Sequence, residues 1–173
     1  SGDGIADVVI GACFEGVTSS SGREGIVHVF TGPLSGVIDT GDSDLALTGE
    51  YYDNYSGWSV AGAGDIDGDG SPEIIIGAIG EATSGNRAGA AYLASWSSGG
   101  SISLADVDAK LLGVNESDDA GTAVDGAGDV DGDGHDDVLV SAPYEDSAAS
   151  GAGVVYLLYG PVSYTHLTLP TSG

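Results

Sequence analysis

The nine residues Asp129–Asp137, DVDGDGHDD, place five carboxylates and two glycines in one short stretch, and 64 residues upstream Asp65–Glu73, DIDGDGSPE, is its near copy. The start of the chain, Ser1–Asp7 (SGDGIAD), reads as the second half of a third copy cut by the chain end. No other feature restricts the fold as much. A unit recurring in register must be the same supersecondary element each time, burying its apolar faces against the neighbouring units.

Carboxylates this dense repel one another unless a cation lies among them, and their alternate spacing lets the side chains of a tight turn converge on one point. Hard oxygen donors in this number suit calcium, which accepts about six to eight oxygens in flexible geometry. In the upstream loop the expected ligands are Asp65, Asp67, Asp69 and Glu73, with the main-chain carbonyl of Ser71. In the downstream loop they are Asp129, Asp131, Asp133 and Asp137, with the carbonyl of His135, whose side chain is expected to face solvent. The cut copy supplies Asp3, Ile5 and Asp7 at the matching places. One Ca2+ per complete loop is therefore expected. Gly70 and Gly134 stand where the chain must turn sharply, and glycine accepts the positive φ this needs.

An EF-hand loop starts in the same way but needs a bidentate Glu at position 12 and a helix on each side. Position 12 here is Ile76 or Val140, inside the β-branched runs EIIIGA and DVLVSA, which read as strands. The alternative of a solvated Asp-Gly turn without metal is weighed down by two full copies and a remnant in register.

Superposing the copies aligns more than the loops. Gly49–Asp65 (GEYYDNYSGWSVAGAGD) matches Gly113–Asp129 (GVNESDDAGTAVDGAGD), and each loop leads into a strand ending in Gly11–Ala12, Gly77–Ala78 or Ser141–Ala142. A variable polar hairpin follows, then GIVHVF from Gly25, GAAYLA from Gly89 and GVVYLL from Gly153. The fourth strand is expected in LALTGE from Leu45 and AKLLGV from Ala109. Four antiparallel strands in a period of about 64 residues suit a propeller blade, since periods of roughly 40 to 50 already mark four-stranded blades. A solenoid of calcium-binding nonapeptides would repeat far more often. The expected fold class is all-β, a partial β-propeller of four-stranded antiparallel blades. Its divisions are 1–44, a partial blade starting inside its loop; 45–108, a complete repeat; 109–161, most of a further blade; and 162–173, a tail outside the pattern.

These units resemble the FG-GAP repeats of integrin α-subunit propellers, in which Phe-Gly precedes a short strand, an acidic DxDxDGxxD loop, a second strand and Gly-Ala-Pro. Gly57 and Gly121 match the glycine, with Ser56 and Ala120 in place of the phenylalanine. Ala142–Pro143 keeps the end of Gly-Ala-Pro after Ser141, while Gly77–Ala78 and Gly11–Ala12 keep its start and diverge at Ile79 and Cys13. The resemblance covers roughly Ser1 to Pro161. It implies a usually seven-bladed propeller that binds structural calcium on one face and meets partners through loops elsewhere. It also implies a secreted or cell-surface adhesion or recognition module, extracellular, with a protein or carbohydrate ligand. The alternative is an accessory propeller on a larger secreted enzyme, such as a phospholipase or glycan hydrolase. Val162–Thr171, VSYTHLTLPT, matches nothing at the equivalent place in the first unit and resembles a translated sequencing adapter, so site reasoning leaves it out.

Charge narrows the partners. The net charge is −24, with 27 acidic residues against Arg23, Arg87 and Lys110, which excludes nucleic acid because phosphate binding needs a basic surface. The loop positions account for fewer than half of those acids. A salty habitat or ordinary secreted-protein acidity would each explain the remainder. Cys13, the single cysteine, is expected to be a buried, inert thiol at a strand end. No apolar run is long enough to span a membrane as a helix.

Catalytic patterns are sparse, and the chain is read as non-enzymatic. It contains no G-x-S-x-G elbow, H-E-x-x-H pair or phosphate loop. Its G-A-G-D stretches lack the βαβ setting of a dinucleotide site, and the clustered carboxylates repeat in every unit, as a ligand set would and a glycosidase pair would not. Tyr51, Tyr52, Tyr55 and Trp58 form an aromatic cluster that the next unit does not repeat. Blade packing is the preferred reading for it, a sugar or protein contact the alternative. Asn54-Tyr55-Ser56 and Asn115-Glu116-Ser117 match glycosylation sequons.

Overall fold

The computed structural model describes residues 3–16, 22–95, 99–107 and 109–161, and the backbone of Leu167–Thr168. In chain order the strands are β1 (Val8–Ala12), β2 (Ile26–Phe30), β3 (Leu45–Thr48), β4 (Ser56–Gly64), β5 (Glu73–Ala78), β6 (Ala90–Ser95), β7 (Gly100–Ser103), β8 (Ala109–Leu112), β9 (Val124–Gly128), β10 (Asp137–Ala142), β11 (Val154–Leu158) and β12 (Leu167–Thr168). Helix is confined to two short 3-10 turns among the described residues, and none is long and apolar enough to cross a membrane.

Three sheets result. The middle one is a complete antiparallel meander, β4 to β5 to β6 to β8, with β12 added in parallel outside β8. The first runs β1, β2, β3 with β7 parallel on β3, and the third runs β9, β10, β11. The EIIIGA, DVLVSA, LALT and AKLL runs form strands as their composition predicts. β7 lies in a Gly- and Ser-rich stretch that reads as loop; pairing with the open edge of β3 overrides that local preference. The sheets are phased differently from the sequence units, since Leu45–Thr48 closes the sheet before it and Ala109–Leu112 closes the middle one.

The middle sheet is buried on both faces, which is why β5 shows no polar alternation. Because side chains alternate along a strand, Ile74 and Ile76 join Val27, Val29, Leu45 and Leu47 in one apolar layer, while Ile75 joins Val138, Val140 and Leu158 in the other. Each layer is the core between two neighbouring blades. Blades also touch without side chains. A Cβ on Gly11 would overlap the carbonyl of Gly57, and one on Gly77 would overlap that of Gly121, so the second strand of each blade rests on the Phe-Gly-type glycine of the next.

Two expectations are corrected here. Cys13 is half-buried in the turn after β1, rather than sealed in the core. The aromatic cluster is not blade packing: Tyr51 is 61% exposed, Tyr52 63% and Trp58 43%. The apolar demand of the blade is met by the aliphatic strands, and the positive φ of Asp53 and Tyr55 folds the preceding segment into a turn outside them.

Candidate metal centre

Each complete acidic loop leaves an inner strand, β4 or β9, and enters the second, β5 or β10, so both loops lie at the same end of their blades. Within a loop, carboxylates accept backbone N–H groups in series. Asp65 Oδ1 accepts from Gly68 at 2.8 Å and its Oδ2 from Gly70 at 3.0 Å, Asp67 Oδ1 from Asp69 at 3.0 Å, and Asp69 Oδ1 from Ser71 at 2.7 Å. The downstream loop repeats the pattern: Asp129 accepts from Gly132 and Gly134, Asp131 from Asp133, and Asp133 from His135. Such turns hold the oxygens in place before any ion arrives.

The last acid of each loop is the first residue of a buried strand and anchors the set. Glu73 Oε2 accepts from Ile66 at 2.8 Å, and Asp137 Oδ2 accepts from Val130 at 2.7 Å while its Oδ1 accepts from Gly160 at 3.0 Å. Asp137 is 0% exposed and Glu73 4%. Ligand oxygens of Asp65, Asp67 and Glu73 lie within 4.8 Å of one another, as do those of Asp129, Asp131 and Asp137. Asp69 and Asp133 stay outside these clusters and serve the turn. Asp3 and Asp7 do not gather a third donor among the described residues. Asp3 accepts from the N–H of Ile5, and Asp7 Oδ1 accepts from Gly32 at 2.9 Å, as Asp137 does from Gly160.

One atom tests the fit of a cation. Glu73 Oε1 is buried and has no hydrogen-bond partner, although it belongs to a carboxylate that burial pushes up to about 7, with Asp67, Asp69 and Asp65 adding to the rise. A buried, unpaired carboxylate oxygen is costly unless a positive charge meets it. Hard oxygen donors converging beside it are the chemistry that calcium supplies a charge for. The residues present therefore fit a divalent cation, with Asp65, Asp67 and Glu73 placed to hold one in the first loop and Asp129, Asp131 and Asp137 in the other.

Other residues were misread or missed. The His135 side chain is half-buried rather than open to solvent: its ring packs on the upstream loop, where a Cβ on Gly68 would lie 2.6 Å from Cε1, and its Nδ1 is buried without a partner. Asn54, the first sequon, is 1% exposed and accepts a 2.6 Å hydrogen bond from Ser56 Oγ, which closes it to modification in the folded chain. Glu81 and Glu145 are 0% and 1% exposed. They follow GAIG and SAPY as Glu15 follows GACF, a repeat present in the sequence although a turn glutamate is ordinarily solvated. Lys110 Nζ lies 3.0 Å from Glu81 and 2.9 Å from Glu50, in a buried trio. Arg87 pairs with Asp119 through Nε at 3.0 Å and Nη2 at 2.5 Å, and Arg23 donates to the hydroxyl of Tyr55 at 3.0 Å, so all three basic side chains are engaged internally.

The FG-GAP repeat profile matches residues 56–93 and 120–158, which begin at the two small residues before Gly57 and Gly121 and take in both acidic loops. The chain carries FG-GAP repeats. It is 31% identical to integrin alpha-V of Gallus gallus over 165 residues, 92% of this chain and 14% of that protein. It is 30% identical to integrin alpha-4 of Xenopus laevis over 151 residues, and 33% identical to integrin alpha pat-2 of Caenorhabditis briggsae over 150. The chain thus spans 14% or less of these relatives' length. Each matched segment opens one residue before the glycine on which the preceding blade rests.

Proposed function

We propose that this chain is part of a calcium-binding FG-GAP propeller of a secreted or cell-surface protein, serving recognition or adhesion rather than catalysis. The observation that carries the metal reading is Glu73 Oε1, buried and unpartnered beside Asp65 and Asp67. Calcium would hold the start of the second strand of each blade to the end of the first, where carboxylate repulsion otherwise opens the loop.

The opposite end of the blades supports recognition. Ser56 pairs with Ala78 there, far along both strands from the acidic loop. Phe14, Tyr55, Trp58, Pro143 and Tyr144 line a groove of about 360 Å³, and Phe14 meets Tyr55 and Trp58 edge to face at 5.8 and 6.3 Å. Exposed aromatic surface of this kind anchors protein and sugar contacts. The metal end then serves as frame, and the aromatic end as contact face.

Thermal melts of the full chain across a calcium titration test the reading. The melting temperature is expected to rise with calcium by mass action, about 1.4 kcal/mol for each tenfold excess over Kd per site, and to fall when chelator is added. A melting temperature indifferent to both calcium and chelator overturns it.

A further inference from the structure

Position 8 of the acidic loop is outside the alternating ligand series, and the three copies fill it with Ala6, Pro72 and Asp136. Asp136 is the only one of the three with a carboxylate, and that carboxylate leaves its own loop. Its Oδ2 accepts the backbone N–H of Asp65 at 2.8 Å, and its own N–H donates to the Asp65 carbonyl at 3.0 Å. The backbone of the first ligand in one blade is thereby gripped on both sides by the next blade. Gly64 makes room for this: a Cβ there would collide with the Asp136 carboxylate, whereas one on the equivalent Gly128 would meet nothing within 4 Å.

We infer that Asp136 is a positioning residue for the cation site of the neighbouring blade, fixing Asp65 so that its carboxylate stays aimed at the ion held with Asp67 and Glu73. The inference rests on the calcium reading above. The orphaned Glu73 oxygen points to the ion; the exchange of two hydrogen bonds between Asp65 and Asp136 says what holds the opposite ligand still. A carboxylate placed here would otherwise add repulsion to an already acidic loop. As the acceptor of a ligand residue's N–H it acts instead as an outer partner, and such partners tune metal affinity. The site at Asp65–Glu73 is thus completed by its neighbour.

A calcium titration of the full chain followed by backbone amide NMR resolves the two sites, because the Gly70 and Gly134 N–H groups each donate to the first carboxylate of their own loop. In Asp136→Ala the Gly70 curve is expected to shift to roughly 10- to 100-fold higher calcium, with a much smaller shift at Gly134. Asp136→Asn, which keeps an acceptor oxygen, should bring Gly70 back to within a few-fold of the parent chain. If Asp136→Ala does not fold, Asp136→Ser, too short to reach Asp65, carries the same expectation. Equal shifts at both glycines, a shift at Gly134 alone, or none at either would overturn the inference while leaving the calcium reading intact. A parent chain in which neither amide responds to calcium would overturn both.

Discussion

On the proposed calcium reading, Glu73 sets opposite demands on the chain with and without the ion. Without calcium its raised pKa means that the folded state holds the proton more tightly than the unfolded state. Its contribution to stability is therefore fully present below its ordinary value of 4.5 and is lost as pH rises through about 7. In chelator, the melting temperature of the parent chain is expected to fall across that window more steeply than that of Glu73→Gln. At pH 8 the same variant should melt higher than the parent in chelator and bind calcium at least about tenfold more weakly, measured by paired melts and titration calorimetry. A Glu73→Gln chain that melts lower than the parent in both conditions would contradict this account. The acidic clusters were legible because alternate spacing is what lets carboxylates of one turn converge, as Asp65, Asp67 and Glu73 do. Asp136 was not, since nothing in the spacing tells a carboxylate aimed at its own ion from one aimed at a neighbouring loop. His135 was misread for a related reason: whether a ring at the loop edge sees water depends on the blade next door.

At the scale of strands and hairpins, the repeat itself carries most of the information. Short β-branched runs after each loop became β5 and β10, and LALT and AKLL became β3 and β8, paired with β2 and β6. What the runs do not reveal is which residues may not grow. Gly77 sits in the middle of a fully buried strand, and a methyl group there would overlap the Gly121 carbonyl of the next blade. Gly62, in the neighbouring strand, has open space at its Cβ position. Gly77→Ala is expected to cost about 1–3 kcal/mol, as overpacking does, while Gly62→Ala should be neutral or stabilising by up to about 1 kcal/mol. Denaturant midpoints of the two variants check the contrast. The aromatic turn before β4 escaped the sequence reading because aromatic residues fit a blade core and a contact face equally well; only the filling of the core layers by aliphatic residues such as Leu45, Leu47, Ile74, Ile75 and Ile76 decided it.

For the whole molecule, sheet edges and charge pull in opposite directions. Among the described residues β11 has no strand beyond it, and Val155 on it is 62% exposed; at the other end Val8 and Ile10 of β1 are 41% and 43% exposed. Unpaired apolar edges invite association, yet a net charge of −24 opposes it. Light scattering after size exclusion should therefore show little self-association at low ionic strength and more as salt screens the charge, with Val155→Lys suppressing the rise; association that falls with salt would contradict it. The contacts of Gly11 with Gly57 and of Gly77 with Gly121 have a different reach. A contact made by main chain on main chain can be broken by mutation but not retuned. At these two points the approach of one blade to the next is a fixed ruler mark, set by the thickness of a backbone, and the hairpins and aromatic turns can drift in sequence without altering it.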